Sequence, residues 1–392
     1  MRLLIAFVAV WVIYNLQLRL YEKYWEYGLK VDLKFSKNIV SFGEKVELIE
    51  VIENNKPLPL PILNVKFATS RSFIFAEEEN ANVSDRYYRN DIFSILGYQK
   101  IERRLEFVTS ARGVSRINEL QISTRDLFLK HPFADIMDNQ TEIIVLPKRI
   151  PLENYVGIHN QLMGDYETVR WDNPDPFVFR GIRPYQSFDT MGSINWKATA
   201  KVGDLMVNQY QPTTESEARI YLNLRPYMKS QADFLAEHAI SIVSTIASEY
   251  ISHGINVSFY TNGWDLDVDM AEPENTEKHN DITNDDKRTG AAITLNPHLD
   301  MGGGREHLKA LDVMLARIDI SKKASDMMRV LEEGFANAKD NTTHILVSTY
   351  RDDALYDFFE KRMRNTVFYW IVPEREGNVV DLRYNGMYRW DV

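Results

Sequence analysis

The sequence predicts a three-part chain: an N-terminal transmembrane helix, an all-β sandwich and a C-terminal α/β domain. Three observations predict it. Leu3–Leu18 carries no charge. Residues 31–147 break into short alternating runs separated by turn signals, the pattern of a small antiparallel sandwich. From Ala218 onward, strand-like runs alternate with amphipathic helical runs, the pattern of a sheet covered by helices. A chain of 392 residues also exceeds what one core organises, and about two or three domains are expected.

The apolar run includes Leu-Leu-Ile-Ala-Phe-Val-Ala-Val-Trp-Val-Ile-Tyr. It falls slightly short of the roughly 20 residues that span a bilayer, and Arg2 and Arg19 can snorkel to the two interfaces. No small-x-small cleavage signal follows it, so a membrane anchor is preferred to a cleaved leader or a core helix. Tyr14, Tyr21, Tyr24 and Trp25 are expected to form an aromatic belt. Arg19, Lys23, Lys30, Lys34 and Lys37 follow the run, which places the body on the cytoplasmic side of a single-pass cell-membrane anchor.

Strands are expected around Val46–Ile52, Val65–Phe67, Ile101–Val108, Ile117–Ile122 and Ile143–Leu146, with a turn at Phe42-Gly43. Together they make an immunoglobulin-like sandwich. Pro57, Pro59 and Pro61 belong at an edge or connection, and Tyr87-Tyr88-Arg89 reads as a solvated surface turn in preference to a recognition loop. Residues 148–177 read as a polar connection punctuated by Gly157, Gly164 and Asp172-Asn-Pro-Asp-Pro176.

The densest chemistry follows. Phe179-Arg-Gly-Ile-Arg-Pro-Tyr185 leads through Asp189 to Ile194-Asn-Trp-Lys-Ala-Thr-Ala-Lys201 and Leu205-Met-Val-Asn-Gln-Tyr210. This reads as an extended segment, a turn, a short helix and a second strand. Asp189 is the expected N-cap, Gly203 the expected helix stop, and Lys197 and Lys201 suit the helix end. The candidate binding residues are Arg180, Arg183, Tyr185, Asp189, Asn195, Trp196, Lys197 and Lys201. Two readings stand: a domain junction held by a buried arginine–carboxylate network and a packed tryptophan, or a partner- or anion-binding surface of arginine forks beside an aromatic. An Arg183–Asp189 pair is expected to fix the turn, and Asp189→Ala is expected to destabilise strongly.

The string Arg183-Pro-Tyr-Gln-Ser-Phe-Asp189, with Ile-Asn-Trp-Lys-Ala-Thr-Ala-Lys and Leu-Met-Val-Asn-Gln after it, resembles the signature of domain-of-unknown-function family 58. Ser110-Ala-Arg-Gly-Val and Ser123-Thr-Arg-Asp-Leu-Phe resemble that family's N-terminal region. The resemblance implies a membrane-associated bacterial protein with a von Willebrand factor A-like C-terminal half. It also implies a MoxR-type AAA+ ATPase as partner.

The C-terminal half supplies strands at Arg219–Leu224, Ile255–Tyr260, His344–Ser348 and Thr366–Val372. Helices are expected through Phe234, Leu235, Ala239, Ile242, Val243, Ile246 and Tyr250, then over Arg305–Ile318, Ser325–Ala338 and Leu355–Arg364. This is a Rossmann-type α/β arrangement whose order resembles an A-type domain. The expected boundaries are 1–21 for the anchor, 30–147 for the sandwich, 148–215 for the signature and junction, and 216–392 for the α/β domain. Asp265–Gly290 reads as an acid-rich exposed loop. Its Asp265, Asp267 and Asp269 have the spacing of a calcium loop, with Met270 and Thr276 in place of the required glycine and glutamate.

Composition and motif searches narrow the function. With 44% apolar and 26% charged residues the chain is globular. A net charge of −10 argues against nucleic-acid binding. There is no cysteine, which removes disulfides, thiolate metal sites and cysteine nucleophiles. An A-type domain holds a divalent metal on an aspartate-x-serine-x-serine loop after its first strand. Here Asn223-Leu-Arg-Pro-Tyr227 supplies neither carboxylate nor hydroxyls, and Arg225 stands where the cation would lie, so no metal or cofactor is expected. Gly302-Gly-Gly304 opens a helix and offers amides to an anion, but it lacks the Gly-Lys-Ser/Thr of a nucleotide loop, and a tight turn at a helix start is the preferred reading. The preferred function is a membrane-anchored scaffold or adaptor for protein partners. The alternative is a hydrolase or transferase with its site at the Arg183–Lys197 cluster.

Overall fold

The computed structural model describes residues 2–76, 81–83, 87–163, 174–187, 189–212, 217–226, 231–267, 292–336, 338–339, 342–378 and 381–392. It divides into two compact units, Met1–Lys148 with Leu315–Arg317, and Arg149–Met314 with Ile318–Val392.

The first unit opens with α1 (Arg2–Tyr24), a 23-residue helix about 34 Å long at 1.5 Å per residue. It is long and apolar enough to cross a membrane, as an anchor or as a signal sequence. Leu4, Phe7, Val8, Trp11 and Ile13 are exposed along it. Its C-terminal end behaves differently. Tyr21 and Trp25 are buried in the core of the β-structure. The Tyr21 hydroxyl donates to the Pro59 carbonyl at 2.6 Å, and Trp25 stacks near Phe133. The aromatic belt expected at this end is therefore corrected: two of its four members are core residues, because an aromatic with a satisfied polar tip contributes more inside than at an interface.

The sandwich stacks two sheets. One has the order β1 (Leu29–Phe35), β3 (Lys45–Asn54), β8 (Lys100–Thr109), β5 (Phe73–Phe75). The other runs β2 (Ile39–Val40), β10 (Pro132–Val145), β9 (Gly113–Arg125), β4 (Leu60–Thr69), β7 (Tyr87–Ile95), β6 (Ala81–Val83). Neighbours are antiparallel except β2, which joins β10 in parallel. Side chains alternate in and out with the period of two that a pleated strand imposes. Leu33, Leu48, Ile52, Leu63, Val65, Phe107 and Ile122 meet between the sheets. Pro61 is tolerated inside β4 because the register shifts between Leu60 and Leu63.

That same alternation drives charges inward. Glu50 on β3 and Arg89 and Asp91 on β7 are buried at 1%, 2% and 0% exposure. Arg89 Nε donates to Asp91 Oδ2 at 2.7 Å, and Arg103 Nη1 donates to Asp91 Oδ1 at 3.0 Å. The solvated turn expected at Tyr87–Arg89 is corrected accordingly: these residues lie in β7, and Arg89 also sits 5.3 Å from the centre of the Phe75 ring. Burial, with the Asp91 charge as the next contribution, pushes the Glu50 carboxyl up to about 8.

Near the start of the second unit, the Tyr155 ring stacks on Trp390 at 4.7 Å, and α2 (156–163) follows. The connection expected from residue 148 is thus partly folded, with Leu162 buried. Gly164 and Asp172-Asn173 lie outside the described residues. A separate hairpin pairs β11 (Pro174–Pro184) with β12 (Met206–Pro212), and α3 (Trp196–Val202) lies in its connection.

The main sheet has the order β17 (His298–Gly302), β14 (Asn256–Thr261), β13 (Glu217–Asn223), β19 (Thr343–Ser348), β20 (Phe368–Glu374), β21 (Met387–Asp391). All neighbours are parallel except β17, which runs antiparallel to β14. β13, β19 and β20 are buried at every residue, as parallel central strands must be. Four helices accompany the sheet: α4 (Ala232–Ser252), α5 (Gly304–Arg317), α6 (Met327–Ala336) and α7 (Asp353–Met363). Of the expected inward face of α4, Leu235, Ala239, Ile242, Val243, Ile246 and Tyr250 are buried, whereas Phe234 is 38% exposed beneath the Arg375 guanidinium. A small sheet of β16 (Ala292–Leu295), β15 (Trp264–Asp267) and β18 (Ile318–Asp319) lies apart. Asp265 and Asp267 belong to β15 rather than to a loop, which corrects the expected start of the acid-rich segment; Asp269, Met270 and Thr276 lie outside the described residues. The strands β17 and β21 have no counterpart in the sequence reading.

Two outcomes follow from the first unit. Glu50 is raised, so its folded state holds a proton that the unfolded chain releases near 4.5. Stability is therefore full below about pH 4.5 and declines as pH rises through about 8, at up to about 1.4 kcal/mol per pH unit. Glu50→Gln should flatten that decline in urea titrations between these limits. Truncation should divide at the core: a chain lacking residues up to Leu18 keeps a cooperative melt, while one lacking residues up to Trp25 loses Tyr21 and Trp25 and does not.

Candidate functional site

Two places in the second unit carry chemistry: the hairpin with its helix, and the carboxyl end of the main sheet. In the hairpin, Arg183 projects from β11 towards the following turn. Its Nη1 donates to Asp189 Oδ2 at 2.7 Å and its Nη2 to Asp189 Oδ1 at 2.6 Å. The amide of Gln186 donates to Asp189 Oδ2 at 2.8 Å. The expected pair is present, in the fork geometry a guanidinium favours. The hydrogen bond from Arg183 is the largest influence holding the Asp189 carboxyl below its ordinary range.

The Arg183 and Asp189 side chains are 30% and 9% exposed, so water screens the guanidinium more than the carboxylate. The helix cap is corrected. Asn195, not Asp189, caps α3: its Oδ1 accepts from the Ala198 amide at 2.9 Å, while its Nδ2 donates to Asn208 Oδ1 at 2.7 Å. Gly203 closes the helix at φ +90°, returning its amide to the Thr199 carbonyl.

Backbone bonds hold the frame. Tyr185 N donates to Leu205 O and Asn195 N to Met206 O, both at 2.8 Å. Ile194 and Val207 form a bridge and are buried. Trp196, expected to pack at a junction, is 64% exposed. Phe179, Ile182, Met191, Val202 and Leu205 are exposed as well. Arg180, Lys197 and Lys201 are exposed, and Tyr185 is half-buried. The sequence pattern located these residues correctly on strand, turn and helix. It missed the apolar exposure, since spacing does not say whether a second surface covers a helix face.

At the main sheet, strand order reverses between β13 and β19, where the carboxyl ends of parallel strands open a crevice. Polar side chains of the chain itself fill it. Asn223 Nδ2 donates to Ser348 Oγ at 3.0 Å, and Asn223 Oδ1 accepts from Asn262 Nδ2 at 2.8 Å and from Arg225 N at 3.0 Å. Asn262 Oδ1 accepts from Leu224 N at 2.9 Å, and Ser348 Oγ donates to Tyr350 O at 2.8 Å. Arg225 lies over the Tyr350 ring at 4.0 Å. Tyr227 is outside the described residues. An amide that already donates and accepts within such a network offers no hard oxygen to a cation. Among the described residues, no three His, Asp or Glu side chains gather in metal-binding geometry.

Deeper in the same sheet, His344 Nδ1 and the Tyr221 hydroxyl are 3.0 Å apart, and the Phe335 ring stacks on His344 at 3.7 Å. Burial, then the Arg219 and Arg362 charges, pushes His344 down to about 3 and keeps the imidazole neutral. This is a core histidine. The Gly302–Gly304 turn is likewise a packing device: a Cβ on Gly302 would meet the His307 ring at 2.5 Å, and one on Gly303 the Asn256 side chain at 2.5 Å.

No protein-family model matches this chain. No curated protein matches it either. Solved structures do. A non-cellulosomal cohesin from the archaeon Archaeoglobus fulgidus is 13% identical, covering 33% of this chain and 98% of its own, with a TM-score of 0.20. The sixth cohesin of scaffoldin B from Acetivibrio cellulolyticus, solved in complex with a dockerin, is 10% identical, covering 29% and 98%, with a TM-score of 0.22. A CARDB domain from Pyrococcus furiosus, solved with di-metal ions, is 9% identical, covering 30% and 93%, with a TM-score of 0.20. Each spans about a third of this chain, and at these scores none informs the reading of its sites.

Sequence reasoning singled out Asn223 and Arg225 by their loop position, and the crevice network adds Asn262 and Ser348. Nothing local marks those two, because their role comes from strands that meet only in the sheet. Asn223→Ala should leave the Arg225 amide without its acceptor and lower unfolding stability by about 1–3 kcal/mol. In isothermal titration with millimolar magnesium or manganese, the native chain should give no saturable heat.

Proposed function

We propose that this chain is a membrane-anchored scaffold or adaptor that binds a protein partner through the hairpin and helix at residues 174–212. One observation carries the reading: a tryptophan that is 64% exposed, on a helix start fixed by an asparagine cap and a closed arginine–carboxylate turn. An exposed aromatic on a rigid frame loses little side-chain freedom when covered, which is why tryptophan and arginine dominate binding hot spots. Exposed Met191 and Val202 supply further apolar surface, and Lys197 and Lys201 a basic rim.

The helix α1 supports an anchor, and the lysines and arginines after the apolar run favour a cytoplasmic body. The main sheet supports an A-like domain: its order is 3-2-1-4-5-6, with the strand at the position-3 edge antiparallel to the rest. Together with the motif from Arg183 to Gln209, this supports the resemblance to domain-of-unknown-function family 58. The MoxR-type AAA+ ATPase follows from that resemblance. For a hydrolase or transferase centred on the cluster, Asp189 is poorly placed to move a proton, because both its oxygens are committed to Arg183 and the Gln186 amide.

The test is binding of a purified MoxR-type ATPase from the same cell to the detergent-solubilised full chain. Trp196→Ala and Lys197→Glu should each weaken it about tenfold or more, a loss of about 1.4 kcal/mol or above, with melting temperature unchanged. Native affinity in both variants would remove the hairpin and helix as the binding surface.

A further inference from the structure

The strands β9 and β10 are joined by a tight tip in which Leu127, Phe128 and Leu129 are 51%, 57% and 42% exposed. Three consecutive large apolar residues at the end of a hairpin lie against the ordinary chemistry of turns, which favours glycine, asparagine and aspartate. The conformation raises the cost further. Leu129 adopts φ +59°, in the left-handed region that a leucine enters only under constraint.

The constraint is Asp126, which is fully buried. Its Oδ1 accepts from the Lys130 amide at 2.6 Å and from the His131 amide at 3.1 Å. Arg125 Nη1 caps the Leu129 carbonyl at 3.0 Å. The tip is thus a rigid presentation of three apolar side chains.

The clamp also ties the tip to α1. Gln17 Nε2 donates to Asp126 Oδ2 at 3.0 Å, and the Tyr14 hydroxyl lies 3.4 Å from His131 Nδ1. The Tyr14 and Phe128 rings are 5.7 Å apart, and Lys130 Nζ lies 5.6 Å from the centre of the Tyr14 ring. Tyr14 is one helical turn inside the uncharged run Leu3–Leu18. The tip therefore stands about 6 Å inside the apolar end of the helix, at 1.5 Å per residue. That is the depth, about 5–10 Å, at which interfacial apolar groups sit.

We infer that the 127–129 tip is a second membrane contact, dipping into the same leaflet face from which the sandwich emerges. The inference rests on α1 being a membrane anchor. Tip and helix are then one continuous apolar surface, with Arg125, Lys130 and His131 beside it at the level of anionic headgroups. The consequence is orientational: a single helix can tilt and carry its clamped domain with it, whereas a helix and a second contact at the tip together fix which face of the sandwich meets the lipid.

The chain has no cysteine, so single labels report unambiguously. Full-length Phe128→Cys, Val8→Cys and Ser110→Cys chains, each carrying an environment-sensitive fluorophore, are reconstituted in phosphatidylethanolamine–phosphatidylglycerol vesicles. Quenchers are placed at shallow or deep acyl positions. Leu127→Cys is read in parallel, in case loss of the Phe128 ring disturbs Tyr14. The expected result is loss of most fluorescence at residue 128 or 127 with the shallow quencher, loss at residue 8 with the deep one, and none at residue 110. Quenching at residue 8 with none at 127 or 128 overturns the tip contact and leaves the anchor standing. Absence of quenching at all positions overturns both. A label at 127 or 128 that is shielded from water yet indifferent to lipid quenchers means a protein covers the tip, and also overturns the inference.

Discussion

The second unit depends on one constraint: β13 is paired in parallel on both edges and is buried along its whole length. Its side chains are almost shut off from water, so their polar groups need partners from neighbouring elements. Arg219, Tyr221 and Asn223 each meet a different neighbour. Arg219 donates to the Gly334 carbonyl, which a side chain at Gly334 would obstruct by striking the Tyr221 ring. Tyr221 meets His344. Asn223, at the carboxyl end, is consumed by Ser348, Asn262 and Arg225. The carboxyl end of the strand, where an open α/β sheet would hold a ligand, is lined among the described residues by side chains already bonded to one another.

The sandwich solves a related problem with charges. Its alternation is regular enough that Glu50, Arg89 and Asp91 point inward with the apolar residues of the same strands. A buried carboxylate beside another is tolerated only if one holds a proton or a cation lies between them. Both devices operate here. Asp91 receives Arg89 and Arg103, and Glu50 keeps its proton across the neutral range. The Arg103–Asp91 bond joins β8 of one sheet to β7 of the other, so the network links the two sheets.

The helix α1 changes character along its length. Its first half exposes apolar side chains on all sides, while its last turns place Gln17 against Asp126 and Tyr21 against the Pro59 carbonyl. The change occurs within a few residues of Leu18, where charge returns to the sequence. The sandwich is therefore clamped to the helix by polar bonds at Gln17 and core packing at Tyr21, with no flexible linker between them.

Much of this was legible in the sequence. The period of two in Val46–Ile52 and the helical period from Leu235 to Tyr250 identified their elements, since each is a local record of which face is buried. The Arg183–Asp189 fork was legible too, because six residues that must reverse direction leave few partners for a guanidinium. Tertiary structure decided the rest. Periodicity marks a face without naming what covers it, so Trp196 was read as packed and stands exposed, and Tyr21 was read as interfacial and lies in the core. Likewise, Tyr87–Arg89 looked like a turn because its polarity is locally that of a surface; it is a strand whose Tyr87 and Arg89 face the interior and whose Tyr88 stays exposed. The reason is common to all three: the sequence specifies each side chain's own chemistry, whereas burial is a property of the neighbours that arrive from elsewhere in the chain.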